Sequence, residues 1–454
     1  MRTRREQVQA QRFVIRRIVS AMLSANPESL DLPMRRMGLS ILGGVMAGVL
    51  LAVGFWVVGI LFPGGATSWQ KDGTIVLEEE TGASYVYSQG RLYPTLNFAS
   101  ARLFAGQPKP PIVSVHRKSL EGTPRDNPVG IEGAPDAVPD PKSLVGLPWQ
   151  VCSAVDPQDS TKLATRVVIG AALDAAADLS GQAVPLLASG SYFLLWNDRL
   201  HEVPEPDRNL PAMSMARTDA VEVTPLLLNA IERGPRLEMA VGGAGGEART
   251  LGGEPRVIGE VFKVEERYYV LDAAGLHVIG RLAAELLGWD ENSGPRLPPE
   301  EVTANLSTEG VEPPDFPQSV PVAVAVDRDD IAVCGAYTGA VTPNGTAFSA
   351  QVHSPVSGTI DQPVPAPVPT DAVTKSAEYV WMDGGAAVLA RSITASGNSG
   401  GPLYLIAGGR RFALAPEAVA LLGYGETEPV AVFSSYLDLI PSGPALAPIG
   451  QAGP

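Results

Sequence analysis

Ser399 stands in the run Gly397-Asn398-Ser399-Gly400-Gly401-Pro402. A serine hydroxyl becomes a nucleophile only beside a histidine base that an acid orients. The chain has four histidines, His116, His201, His277 and His353, and none stands in a setting that marks such a base. A nucleotide site would need a phosphate cradle of the form Gly-x-x-x-x-Gly-Lys-Ser/Thr. Residues 242–253 are glycine-rich, but no Lys-Ser/Thr follows them, so they read as a flexible loop. Glu78-Glu79-Glu80 reads as a solvated turn, because an acidic run alone does not define a ligand geometry. No set of residues earns a catalytic, cofactor-binding or metal assignment.

The Ser399 stretch resembles the surroundings of the nucleophilic serine in chymotrypsin-like proteases. It departs from that pattern where the family's aspartate is replaced by Asn398, and no histidine lies in an Ala-Ala-His-Cys stretch. The plainer reading is a turn that leads into a hairpin.

From Met37 to Phe62 there is no charged side chain, and Arg35 and Arg36 stand just before. A helix of that length reaches about 39 Å, more than the roughly 30 Å of a bilayer core. The reading is a permanent transmembrane helix at 37–62. A cleaved signal peptide is the rival, but the apolar run is about twice the length of a signal core. Residues 1–36 hold eight arginines and three acids, which keeps the N-terminus on the cytoplasmic side. Within the span Ser40, Gly44, Gly48 and Ala52 recur every four residues, a small-residue face that would admit a partner helix. Residues 3–24 read as an amphipathic helix with Val8, Ile15, Val19 and Met22 on one stripe, flanked by Arg5, Arg12 and Arg16. Two readings stay open for it, rest on anionic lipid or docking on a cytoplasmic partner through Arg12, Phe13, Ile15, Arg16 and Val19.

The chain carries −15 overall and the first 36 residues carry +5, so the exterior part carries −20. That argues against nucleic acid and anionic lipid as partners of the exterior part. Abundant glycine and proline, 48 and 41 residues, favour short elements and many turns. Both cysteines, Cys152 and Cys334, lie on the exterior side. An oxidising compartment makes a disulfide the first reading, with two free buried thiols as the alternative. No zinc site is available without histidines at motif spacing.

The exterior part holds a weak internal repeat. An aromatic residue is followed eight residues later, across a turn, by another aromatic or a histidine. The pairs are Tyr85 and Tyr93, Phe193 and His201, Tyr269 and His277, and Tyr404 and Phe412. Each predicts a β-hairpin, and three continue into a helical Ala/Leu pattern: Ala99–Leu103, Leu282–Leu287 and Ala418–Leu422. The fold class expected is α+β and β-rich. A cytoplasmic helix and basic segment (1–36) and a span (37–62) precede a first repeat with linker (63–125) and an opening stretch of a central core (126–185). A second repeat (186–235) and a Gly-rich linker with a third repeat (236–317) follow. The closing stretch of the central core (318–398), a fourth repeat (399–440) and a disordered tail (441–454) complete the order. Residues 376–395 predict a further hairpin around Asp383-Gly384-Gly385, and residues 240–254 and 354–370 predict loops or linkers.

Several motifs resemble the EccB family, the single-span membrane component of the type VII (ESX) secretion machine of actinobacteria. They are Thr3-Arg4, Gln7–Phe13, Arg16-Arg17 and Ala21; Leu96-Asn97-Phe98-Ala99-Ser100-Ala101-Arg102-Leu103; Gly130–Pro135; and Trp149-Gln150-Val151-Cys152. The resemblance implies a structural subunit of an inner-membrane complex, with a periplasmic domain that pairs with other copies. The partners it implies are an FtsK/SpoIIIE-type motor ATPase, a many-span channel subunit, a peripheral membrane subunit and a mycosin protease. Its repeats are similar to phage-lysin cell-wall-binding units, which adds the cell wall as a candidate partner. The enzyme alternative is an ATPase, as the family is often labelled, or a serine hydrolase at Ser399. The resemblance implies no cofactor.

Overall fold

A computed structural model of the protein describes residues 4–24, 33–61, 67–171, 176, 179, 181–324, 330–354, 356, 360–361, 364–367, 376–394 and 400–450. The chain divides into two compact units. One comprises residues 1–69, 78–82 and 114–123; the other comprises 70–77, 83–113 and 124–454.

The first unit contains two helices, Arg4–Ser24 and Pro33–Leu61. The second helix starts in the basic segment and runs through the uncharged stretch. Its residues Gly38–Val57 are long and apolar enough to cross a membrane. The same unit holds the acidic run. Glu78 is buried and accepts from Arg117 Nε at 2.7 Å, Glu80 accepts from the Arg117 amide at 2.8 Å, and Glu79 lies 3.0 Å from His116 Nδ1. The run is thus tied down by ion pairs, and the Arg117 amide holds the Glu80 carboxyl below its ordinary value.

From residue 74 onward the chain is β-rich and repeats one motif four times. Each copy is a three-stranded antiparallel meander. The meanders are Thr74–Glu78, Ser84–Ser88 and Arg91–Pro94; Gln182–Ala188, Ser191–Trp196 and Arg199–Glu202; Val261–Val264, Arg267–Leu271 and Leu276–Ile279; and Ala387–Ile393, Leu403–Ala407 and Arg410–Leu414. The second hairpin of each has one register: Val86 faces Tyr93, Leu194 faces His201, Val270 faces His277 and Leu405 faces Phe412. Period-2 alternation follows, so the two members of each eight-residue pair lie on opposite faces. Backbone φ is positive at both central residues of three of the turns, Gln89-Gly90, Asn197-Asp198 and Gly408-Gly409. That is the demand of a two-residue hairpin loop, and it explains Gly and Asn there.

A short helix follows each meander: Phe98–Ala105, Pro206–Ala212, Arg281–Leu286 and Pro416–Leu421. The second of these carries no helical signal in the sequence. Pro206 and Pro211 with the polar Asp207-Arg208-Asn209 break the Ala/Leu pattern that marks the other three. After the helix the chain returns and pairs in parallel with the hairpin, through Leu92 with Arg125, Leu200 with Arg233, Leu276 with Leu306, and Arg411 with Ser442.

A fifth sheet carries both cysteines. Its strand order is Ser349–His353, Ala332–Tyr337, Trp149–Asp156, Asp159–Ile169, Tyr379–Trp381. The repeats pack in pairs. Tyr192, Leu194, Leu210 and Met213 of the second share one apolar core with Val261, Tyr268, Leu282 and Trp289 of the third. Ala99 and Leu103 of the first share another with Phe412, Ala418 and Leu422 of the fourth.

Three expectations need correction. Residues 376–395 do not form a hairpin, because Tyr379–Trp381 joins the central sheet, parallel to Arg166–Val168, while Ala387–Ile393 joins the fourth repeat. The Asp383-Gly384-Gly385 turn hands the chain from one sheet to the other. The fourth repeat therefore begins before residue 399. The glycine-rich stretch is no simple loop: Glu247–Leu251 and Glu254–Val257 pair about Gly252-Gly253. Residues 441–450 are not a disordered tail. Leu446 is fully buried, and its amide and carbonyl bond Ala413 and Ala415 at 2.8 and 2.9 Å. The Pro/Ala/Gly composition conceals two apolar residues, Leu446 and Ile449, whose burial offsets the ordering entropy. Residues 451–454 lie outside the described residues.

Candidate assembly surfaces

Two short motifs meet in the first repeat. Asn97 caps the helix Phe98–Ala105 by accepting from the Ser100 amide at 2.9 Å. Its Nδ2 donates to the Ile131 carbonyl at 2.8 Å, and the Ile131 amide donates to Ser100 Oγ at 2.8 Å. Gly130 sits at φ +155 against the Leu96 side chain, where a Cβ would meet Leu96 Cβ at 2.9 Å. So Leu96–Leu103 and Gly130–Pro135, distant in sequence, are one hydrogen-bonded structure.

The Trp149–Cys152 motif lies in the central sheet. Trp149 is fully buried and donates to Gly146 O at 3.0 Å. Cys152 and Cys334 lie directly opposite on antiparallel strands and are joined by a disulfide, with Cα atoms 4.0 Å apart. The segments around residues 144–170 and 318–340 are thereby both paired and cross-linked.

Among the described residues His201 and His277 are structural. His201 is buried and its Nδ1 lies 2.9 Å from Pro235 O; burial pushes its imidazole below the ordinary value. His277 Nδ1 lies 2.6 Å from Glu309 O, and its Nε2 lies 2.8 Å from Asp272. Burial pushes the Asp272 carboxyl up, but His277 and the amides of Gly275 and Ala274 outweigh it and hold the group below the usual range. His201 and His277 thus anchor the returning chain of their repeats. Ser399 lies outside the described residues. Beside it, a Cβ on Gly401 would collide with the Ser392 carbonyl, so that glycine serves close backbone approach.

Both N-terminal helices leave apolar surface open. Phe13, Ile15 and Val19 are 65%, 54% and 45% exposed, and Arg12 and Arg16 flank them in the open. Ser40, Gly44, Gly48 and Ala52 are all exposed, and a Cβ on Gly44 or Gly48 would meet nothing within 4 Å. An apolar stripe and a small-residue face are therefore both present and open.

One contact has no signal in the sequence. In each repeat pair an arginine on one helix donates to the C-terminal end of the other. Arg102 Nη1 reaches Leu422 O at 3.1 Å, and Arg208 Nη2 reaches Leu286 O at 3.1 Å. A positive charge there suits the helix dipole and an orphan carbonyl.

The family model described as type VII secretion system ESX-1, transport TM domain B matches residues 1–450. The chain belongs to this family. Among curated relatives, ESX-1 secretion system ATPase EccB1 of Mycobacterium tuberculosis is 28% identical over 374 residues, 78% of this chain and 76% of that protein. ESX-3 secretion system ATPase EccB3 of Mycolicibacterium smegmatis is 28% identical over 352 residues, 74% of this chain and 67% of that protein. Among solved structures, a chain of an intact ESX-5 inner membrane complex has a TM-score of 0.64 at 24% identity, covering 98% of this chain and 94% of that one. The EccB3 dimer of the ESX-3 core complex has a TM-score of 0.61 at 22% identity, covering 82% and 98%. These two likenesses are of fold. The same fold therefore occurs in EccB proteins.

Proposed function

We propose that this chain is a structural subunit of an inner-membrane type VII secretion complex. The observation that carries this reading is the family match across residues 1–450, which takes in both N-terminal helices as well as the strand-rich unit. In this reading Pro33–Leu61 spans the membrane with Arg4–Ser24 in the cytoplasm, and the acidic domain lies in the periplasm and pairs with further copies. The arginine excess before the span supports that orientation. The partners are the motor ATPase, the many-span channel subunit, the peripheral subunit and the mycosin protease. The helix Arg4–Ser24 docks through Phe13, Ile15 and Val19 into a partner groove, and the Ser40, Gly44, Gly48, Ala52 face packs on a membrane helix.

The test is recovery of partner subunits with tagged protein from membranes, normalised to its own expression. Ile15→Asp and Gly48→Leu are expected to lower recovery while the protein still inserts. Wild-type recovery for both would leave the periplasmic domain as the only attachment. A reporter active only outside the cytoplasm should work after Pro63 and be silent near Asn26; the reverse would refute the orientation.

A second reading is catalytic, because relatives carry the name ATPase. Purified full-length protein that hydrolyses ATP, with a rate that follows the protein through purification, would favour it.

A further inference from the structure

The last ten described residues do more than end the fourth repeat. The returning segment of the first repeat packs across on the fourth, through Ala134 in their shared core and through Pro139, whose carbonyl accepts from the Tyr424 hydroxyl at 2.8 Å. The returning segment of the fourth crosses in turn to the first repeat. Arg411 N donates to Pro441 O at 2.9 Å, Gly443 N to Arg411 O at 2.8 Å, and Leu446 N to Ala413 O at 2.8 Å. These bonds lay residues 441–446 along the fourth meander. Three residues later, half-buried Ile449 packs against the first repeat's cluster of Ile75, Val86, Ala101 and Phe104. It also packs on the core that the first and fourth repeats share. Pro444 meanwhile lies over Gly133, 3.7 Å from where that residue's Cβ would be.

We propose that residues 441–450 form a clasp that fastens the first repeat to the fourth. The first repeat is the one that follows the apolar helix in the chain. The clasp therefore ties the first and last repeats of the strand-rich domain to each other. It is a conformational device: opening it loosens the first repeat and leaves the pair of second and third repeats in place. That pair rests on its own apolar core and its own Arg208 contact, neither of which involves residues 441–450.

Hydrogen exchange on the full chain in detergent, resolved by segment, tests this. The first variant, Ile449→Asp, removes the apolar end of the clasp. The second, Gly443→Ala, pushes the clasp off the Phe412 ring, which a Cβ there would strike. Val341→Asp, at a residue 73% exposed, controls for added charge. With Ile449→Asp, exchange in residues 84–105 is expected to rise by about tenfold, the factor set by losing one half-buried isoleucine. Gly443→Ala should raise the same segment by less, and residues 182–202 and 261–279 should exchange as in wild type. An unchanged first repeat in both variants would overturn the proposal. So would a rise shared equally by all four repeats, which would make the segment part of a common core and not a clasp.

Discussion

His201 and Phe412 occupy the same register position in their repeats and meet the same object, a glycine of the returning chain. A Cβ on Gly234 would strike the His201 ring, as one on Gly443 would strike Phe412. The histidine is held neutral by burial and its Nδ1 faces a carbonyl. Its folded pKa is depressed, so the unfolded chain binds the proton more readily. Stability from this group is full above the unfolded value, about 6.5, and is lost as pH falls towards the folded value. The domain should therefore unfold at lower temperature as the pH drops below about 6.5. His201→Phe, which keeps the ring and has no proton to take up, should flatten that dependence by up to about 1.4 kcal/mol per pH unit. Thermal unfolding followed at several pH values checks it; parallel curves for the two proteins would show that His201 is not the titrating group.

Helices in these repeats are short, six to eight residues, and would not persist alone. Their stability comes from the partner helix across each pair. Arg102 and Arg208 perform the same task on the two pairs, but Arg208 is the more solvent-exposed. A charged donor on a helix-terminal carbonyl contributes about 1.5–3 kcal/mol when buried and less in water. Arg102→Leu should cost about 1–2 kcal/mol in urea unfolding and Arg208→Leu under about 1. Equal losses would mean that solvent does not weaken the exposed contact and would overturn this ranking.

For the whole strand-rich unit the disulfide is the covalent cross-link, and it closes a long loop. Cys152 and Cys334 are 182 residues apart, and the second and third repeats lie on the loop between them. Closing so long a loop stabilises by roughly 4–5 kcal/mol in the chain-entropy model. The Cys152→Ala, Cys334→Ala double variant should lose stability of that order in denaturant without reductant. The loss falls on the unfolded state, since the two strands are already hydrogen-bonded neighbours. A loss under about 1 kcal/mol would show that the unfolded chain keeps this region together without the bond.

The four hairpins were legible because their signals are local: an eight-residue aromatic spacing, period-2 alternation and turn residues with positive φ. The apolar helix was legible because twenty residues without charge have few alternatives. The pairing of first with fourth repeat and second with third was not, since it depends on which apolar faces are complementary in space. The Asp383-Gly384-Gly385 turn misled for the same reason. A tight turn between two strands looks alike whether the strands pair with each other or leave for separate sheets. The Pro206–Ala212 helix was hidden because its stability comes from Leu210 and Met213 in the shared core and not from propensity. Leu446 and Ile449 are too sparse for a local signal, and only the grooves that receive them order residues 441–450. Sequence by itself determined where the chain turns, alternates and spans, because those choices are made within about ten residues. Tertiary structure alone decided which repeats embrace, because burial of a shared face is a property of two surfaces at once.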